Sequence, residues 1–85
     1  MPEQLNNHFL NKSQVLDATQ RGSWSSLRLD IQDGIFPPAI KTSPRLVAWL
    51  ASEVDAVNAS IVRGDSDQER VELVQRLINK RGKAR

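Results

Sequence analysis

The sequence predicts a mainly α-helical fold with a small β-hairpin, and three observations carry that expectation. Gly34-Ile35-Phe36-Pro37-Pro38 ends a helix, because glycine suits a helix terminus and neither proline has an N–H to continue one. Two short β-compatible runs, Ala39 to Lys41 and Leu46 to Ala48, flank Thr42-Ser43-Pro44-Arg45. Ser52-Glu53-Val54-Asp55 then reads as the start of a new helix. A capped helix feeding into a hairpin and then another helix is the plan of a winged helix-turn-helix, here with an additional C-terminal helix.

Residues 1–8 are polar and read as a flexible tail. Phe9 and Leu10 form the first apolar anchor. Asn11 with Gln14 three residues later makes an Asx-x-x-Gln cap for a short first helix, which directs Val15 and Leu16 to the core. That helix is expected to stop near Thr19 or Gln20, with Gly22 in the turn.

Ser23 is the expected N-cap of the second helix. Trp24, Leu27 and Ile31 follow i, i+3, i+7 spacing and form its inner face. Ser25, Leu29 and Gln32 point away from that face, and Ser26 lies at its edge. Asp33-Gly34 closes the helix. The hairpin is expected to have a loose tip rather than a two-residue turn, and it must pack on helices to be stable. Ile40, Val47 and Trp49 are expected to supply the packed face.

Ser52 with Asp55 reads as a capping box for the third helix, Val54, Val57 and Ile61 as its stripe, and Gly64 as its end. Ser66-Asp67-Gln68-Glu69 is a full capping box for the fourth. Val71, Val74, Leu77 and Ile78 form the fourth helix's apolar stripe, widened by Leu73. Its acidic residues come first and its basic residues last, which suits the helix dipole. The expected division is a winged unit over 9–63, the C-terminal helix over 65–81 and a basic tail over 82–85.

The 85 residues are enough for one small domain. A composition of 39% hydrophobic and 26% charged residues is globular rather than disordered. The absence of a long apolar run excludes a membrane span, and the N-terminus has no signal-peptide pattern, so the expected location is the cytoplasm. With no cysteine there is no disulfide and no thiolate metal site. The net charge of +2 is uneven: residues 1–67 hold six Lys/Arg against eight Asp/Glu, and residues 68–85 hold six against two. A basic end of this kind, with Arg76, Lys80, Arg81, Lys83 and Arg85, is either solvated or placed to meet phosphates.

Little in the chain suggests catalysis. His8 is the single histidine and lies in the tail, and Asp65 and Asp67 lack the further ligands of a calcium loop. No Gly-rich phosphate loop and no nucleophile–base set is present, so no catalytic residue, metal site or cofactor is assigned. Ser25, Ser26 and Arg28 sit early on the second helix. Short hydroxyl side chains let a helix approach base edges, and arginine clamps a phosphate. The same residues also suit a plain capped surface helix. Lys41, Thr42, Ser43 and Arg45 line the hairpin tip, either as an ordinary polar turn or as a basic wing against DNA. Trp24 is expected to be partly buried, and Trp49 to be core.

Phe9-Leu10, Ser23-x-Ser-Ser-Leu, Gly34-x-Phe36-Pro37, Pro44-Arg45, Trp49 and Ser52-Glu53-Val54 together resemble the AlpA family, small prophage-type regulators of the excisionase and MerR-like winged-helix superfamily. The resemblance covers roughly residues 9–58. Several positions depart from the family pattern: Gln20-Arg21-Gly22 lengthens the first turn, Trp24 and Arg28 replace a usual arginine and a usual aromatic, and Val57 or Asn58 stands where a second tryptophan is usual.

The resemblance implies a DNA-binding transcriptional regulator that contacts double-stranded DNA. The contacts would come from Ser23, Ser25, Ser26 and Arg28 on the second helix and from Lys41, Thr42, Ser43 and Arg45 on the wing. It also implies association with the nucleoid. The alternative it leaves is an excisionase-like architectural factor, or an adaptor acting on an integrase or another regulator. The fourth helix lies outside the resemblance. Its stripe has two outlets: back onto the third helix through Val57 and Ile61, or onto the same helix of a second chain in a homodimer.

Overall fold

In the computed structural model, which describes residues 8–83, the elements run β1 Phe9–Leu10, α1 Lys12–Ala18, α2 Trp24–Gln32, β2 Ile40–Ser43, β3 Leu46–Leu50, α3 Ala51–Arg63 and α4 Asp67–Lys83. The fold is mainly helical with a small antiparallel sheet, as expected of a winged helix-turn-helix with an added C-terminal helix. Of the expected tails, residues 1–7 and 84–85 lie outside the described residues, and the backbone of residues 82 and 83 belongs to α4.

Local capping sets the first two helices. Asn11 Oδ1 accepts the Gln14 N–H at 2.9 Å, and Gln14 Oε1 accepts the Asn11 N–H at 2.8 Å, completing the expected box. Ser23 Oγ accepts the Ser26 N–H at 3.3 Å. α1 and α2 close in the same way. The Arg21 N–H reaches the Leu16 carbonyl at 2.9 Å, and the Ile35 N–H reaches the Asp30 carbonyl at 3.0 Å. Such a closure needs one residue at positive φ. Gly34 supplies it after α2, with φ 82°. After α1 the position falls on Gln20, with φ 60°, and not on Gly22.

The sheet departs from the expectation in two ways. It has three strands in the order β1-β3-β2, because Phe9 pairs with Leu50 and Leu10 with Trp49. The hairpin tip is also tight. Ser43 pairs with Leu46, which leaves only Pro44 and Arg45 between the strands. Lys41 pairs with Val47, so Thr42 is an extra residue on β2. Two-residue hairpin loops normally obtain their twist from residues at positive φ, and neither Pro44 nor Arg45 has one. The bulge at Thr42 supplies that twist instead. Arg45 N–H to Ser43 Oγ and Thr42 Oγ1 to the Leu46 carbonyl, both 3.4 Å, fasten the tip.

The expected capping box at Ser52 is not made. β3 passes into α3 without a gap, the N-cap position is Leu50, and no side chain caps it. The Ala51 N–H donates instead to the His8 carbonyl at 2.9 Å. Backbone from the residue just before β1 thus takes up the first free N–H of α3. Val47, expected in the packed face, is 49% exposed, one position from the Ser43–Leu46 pair that closes the hairpin turn. Ile61 is likewise 46% exposed.

Ser60 is buried where Ile61 was expected, and it anchors the α3–α4 corner. It donates to Asp65 Oδ2 at 2.9 Å and accepts from Arg70 Nε at 3.3 Å. Arg63 pairs with Asp65 at 2.8 Å. The hydrogen bond from Arg63, followed by that from Ser60, lowers the Asp65 carboxyl below its ordinary value. Ser66 and Glu69 complete the expected box at the start of α4, at 2.8 and 3.2 Å.

The core is Val15, Leu27, Phe36, Trp49, Val54, Val57 and Val74, with Leu77 and Ile78 packed against it. Trp49 is fully buried, and Trp24 meets it edge-on at 6.0 Å while staying half-buried. α4 therefore takes the first of its two outlets: Val74 enters the same core as Val57.

Candidate nucleic-acid interface

α2 is inserted in the domain by one side only. Leu27 is buried, and Trp24 and Ile31 lie against the core, at the i, i+3, i+7 positions expected. The opposite side presents Ser25, Arg28, Leu29 and Gln32 along a shallow groove of about 240 Å³. Leu29 is 59% exposed there, an apolar side chain with no cover. Ser25 and Arg28 are exposed as expected, whereas Ser26 is half-buried. Ser23 is exposed, and its hydroxyl is committed to the helix cap.

The hairpin carries the second set. Lys41, Thr42 and Arg45 are exposed and Ser43 is half-buried, all within the bulge and turn. The structure thus brings the eight expected residues into two clusters, four on the first turns of α2 and four at the hairpin tip.

Ion pairing separates these arginines from Arg21, Arg63, Arg70 and Arg81. Arg21 pairs with Asp30, Arg63 with Asp65, Arg70 with Asp67 and Arg81 with Glu53. Among the described residues, Arg28, Lys41 and Arg45 have no acidic partner, and neither do Arg76 and Lys80 on α4. An unpaired cation on an exposed ridge is free to meet an anion without first breaking a bond. The Arg21 pair also matters for α2 itself. It neutralises Asp30, one of two aspartates that would otherwise oppose phosphate, and leaves Asp33 at the far end of the helix.

Lys12 adds a feature that sequence reading missed. Its Nζ lies 4.5 Å above the Trp24 ring, a cation–π contact that holds a positive charge beside the start of α2. With Ser13, Arg21 and Gly22 it lines a groove of about 610 Å³ along the turn between α1 and α2. No local sequence pattern signals this contact, since the two residues lie on different helices. Leu29 and Gln32 were legible as outward positions on α2, because the spacing that buries Trp24, Leu27 and Ile31 leaves them outside.

Among the described residues, no helix is long and apolar enough to cross a membrane, and no group of three or more His, Cys, Asp or Glu is placed to hold a metal ion. No curated protein and no solved structure gave a significant match. The family described as "Prophage CP4-57 regulatory protein (AlpA)" matches residues 9–57, from the first strand of the sheet to Val57 in α3. That match takes in α1, α2, the whole hairpin and both clusters of candidate residues, and it covers more than half of the 85 positions. The chain belongs to the AlpA family of prophage regulatory proteins.

Proposed function

We propose that the protein is a DNA-binding transcriptional regulator of prophage or mobile-element type, with α2 in the major groove and the β2–β3 hairpin beside it as a wing. The observation that carries this reading is the division of cations. The fold pairs Arg21, Arg63, Arg70 and Arg81 internally and leaves Arg28, Lys41 and Arg45 unpaired on the two clusters. Ser25 and Gln32 are exposed beside Arg28, at a spacing that lets hydroxyl and amide groups address base edges. Leu29 suits the methyl group of thymine. Arg28 and the wing cations serve phosphates, so affinity falls steeply with salt. The regulatory family agrees with this chemistry.

A mobility shift with the DNA upstream of the protein's own coding sequence, at two salt concentrations, tests the reading. Sequence-selective retardation that weakens with salt is expected. Equal binding to unrelated DNA, or none at low salt, overturns it.

A second reading, an excisionase-like architectural factor or an adaptor for an integrase, draws on one observation. Leu46 and Val47 on the hairpin are 63% and 49% exposed, apolar side chains on opposite faces of β3 that are each open to a protein partner. Retention of DNA binding by Leu46→Ser, with loss of integrase recruitment to the DNA, would favour that reading.

A further inference from the structure

Residues 33–39 are the direct covalent link between α2 and the hairpin. They contain Pro37 and Pro38, so two of the peptide nitrogens have no hydrogen to give. The carbonyls of both prolines are nevertheless held. The indole Nε1 of Trp49, on β3, donates to the Pro37 carbonyl at 3.0 Å in the buried core. Arg81 Nη2, on the last turns of α4, donates to the Pro38 carbonyl at 2.8 Å.

The same guanidinium forks onto Glu53. Nε meets Oε2 at 2.9 Å and Nη2 meets Oε1 at 2.5 Å, and the Glu53 side chain is only 5% exposed. Glu53 lies in the first turn of α3, three residues after the end of β3. One side chain therefore fastens the segment that enters the hairpin and the segment that leaves it.

We infer that Arg81 is a positioning residue for DNA contact: through the Pro38 carbonyl it sets where the wing stands relative to α2, while its pair with Glu53 contributes stability. It lies outside residues 9–57, so the family match assigns it nothing. Its charge is spent inside the fold, which distinguishes it from the exposed Arg76 and Lys80 on the same helix. Arginine suits the task because its planar fork serves a carboxylate and a carbonyl together. Lysine, with a shorter overall reach and one nitrogen, keeps the charge beside Glu53 without reproducing both contacts.

This inference rests on the DNA-binding reading for its consequence, but its geometry is testable without DNA. The chain has no cysteine, so spin labels are placed through Gln32→Cys on α2 and Arg45→Cys on the wing. The expected result is one narrow distance distribution with Arg81 intact and a broadened or shifted one with Arg81→Lys. Glu53→Gln, which keeps the Pro38 contact, serves as the control for lost stability and is expected to stay narrow. All measurements are made at a temperature where circular dichroism shows each variant folded. An unchanged distribution in Arg81→Lys, or equal broadening in Glu53→Gln, overturns the inference.

The functional arm is a cycle of affinities on the upstream DNA. Arg81→Lys is expected to weaken binding about three- to tenfold, the loss of roughly one phosphate contact. That deficit should disappear in an Arg45→Ala background and persist in an Arg28→Ala background. An equal deficit in every background marks a merely structural role. If the unaltered protein fails to bind DNA, the proposed function falls, while the distance measurement still decides whether Arg81 places the wing.

Discussion

Arg81 and Glu53 stand 28 residues apart and meet in a two-pronged ion pair that closes α4 onto the start of α3. The Glu53 carboxylate is almost wholly removed from water, and Arg81 is about one-fifth exposed. Removing one partner strands the other in a low-dielectric site, which costs more than the pair contributes in net stability. Glu53→Ala is therefore expected to destabilise by about 2–4 kcal/mol, somewhat below the loss for a fully buried pair because Arg81 keeps some contact with water. Urea unfolding of both proteins measures it. A loss under about 0.5 kcal/mol, the level of a surface pair, would contradict this account.

At the proposed DNA face, Arg28→Ala and Arg45→Ala are each expected to weaken binding while leaving the melting temperature in place. Each should also reduce the slope of log affinity against log salt by roughly one. Titration across four salt concentrations supplies both numbers. Unaltered affinity in both variants would remove α2 and the wing tip from the interface.

Gly34 and Gly22 offer a contrast free of packing effects. A Cβ at Gly34 would meet only ordinary contact with Val71, but its φ of 82° strains any L side chain. Gly34→Ala is expected to cost about 1–2 kcal/mol. Gly22 has open space and no positive φ, so Gly22→Ala should be neutral or stabilising by about 0.4–1 kcal/mol through the unfolded chain. Equal losses at the two positions would show that backbone conformation is not the cause.

Acid stability should report on the α3–α4 corner. The Asp65 carboxyl is held below its ordinary value of 3.8, first by the hydrogen bond from Arg63 and then by that from Ser60. A lowered folded-state value means the contribution is present above about pH 4 and disappears as pH falls through the folded value. Asp65→Asn should thus flatten the decline of stability between neutral and acid pH. If the variant and the parent lose stability in parallel, Asp65 is not one of the groups responsible.

Truncation after Gly64 bears on the role of α4. Val74 is 1% exposed in the common core, and Arg81 holds Glu53, so the truncated chain loses both. It is expected to lack a cooperative thermal transition rather than to yield a stable winged unit. A sharp transition from residues 1–64 would show that α4 is an appendage. Sedimentation of the intact chain tests the separate matter of a homodimer, for which Val74 and much of the stripe around it are already committed to the fold.

Much of this molecule is decided within a few residues of sequence. The caps at Asn11, Ser23 and Ser66, the stops at Gly34 and Gly64 and the break at Pro37-Pro38 act through bonds spanning three to five positions, so they were legible without a fold. The inward face of α2 and its outward stripe follow from helical periodicity alone. The matched family residues lie in this locally determined part, which is why the resemblance and the structure agree on the architecture.

What only the tertiary structure decided depends on partners distant in the chain. Ser52 resembles a cap, but the His8 carbonyl reaches Ala51 first. Val47 and Ile61 match the apolar spacing yet remain exposed, since burial requires a neighbour and spacing supplies none. Thr42 bulges from a hairpin whose two turn residues, Pro44 and Arg45, adopt no positive φ, a pairing that only the folded register reveals. Arg81 looked like one more charge in a basic tail until folding placed it against Glu53 and Pro38. A charge is visible in sequence, but the field around it is set by whichever distant groups the fold brings within hydrogen-bonding distance.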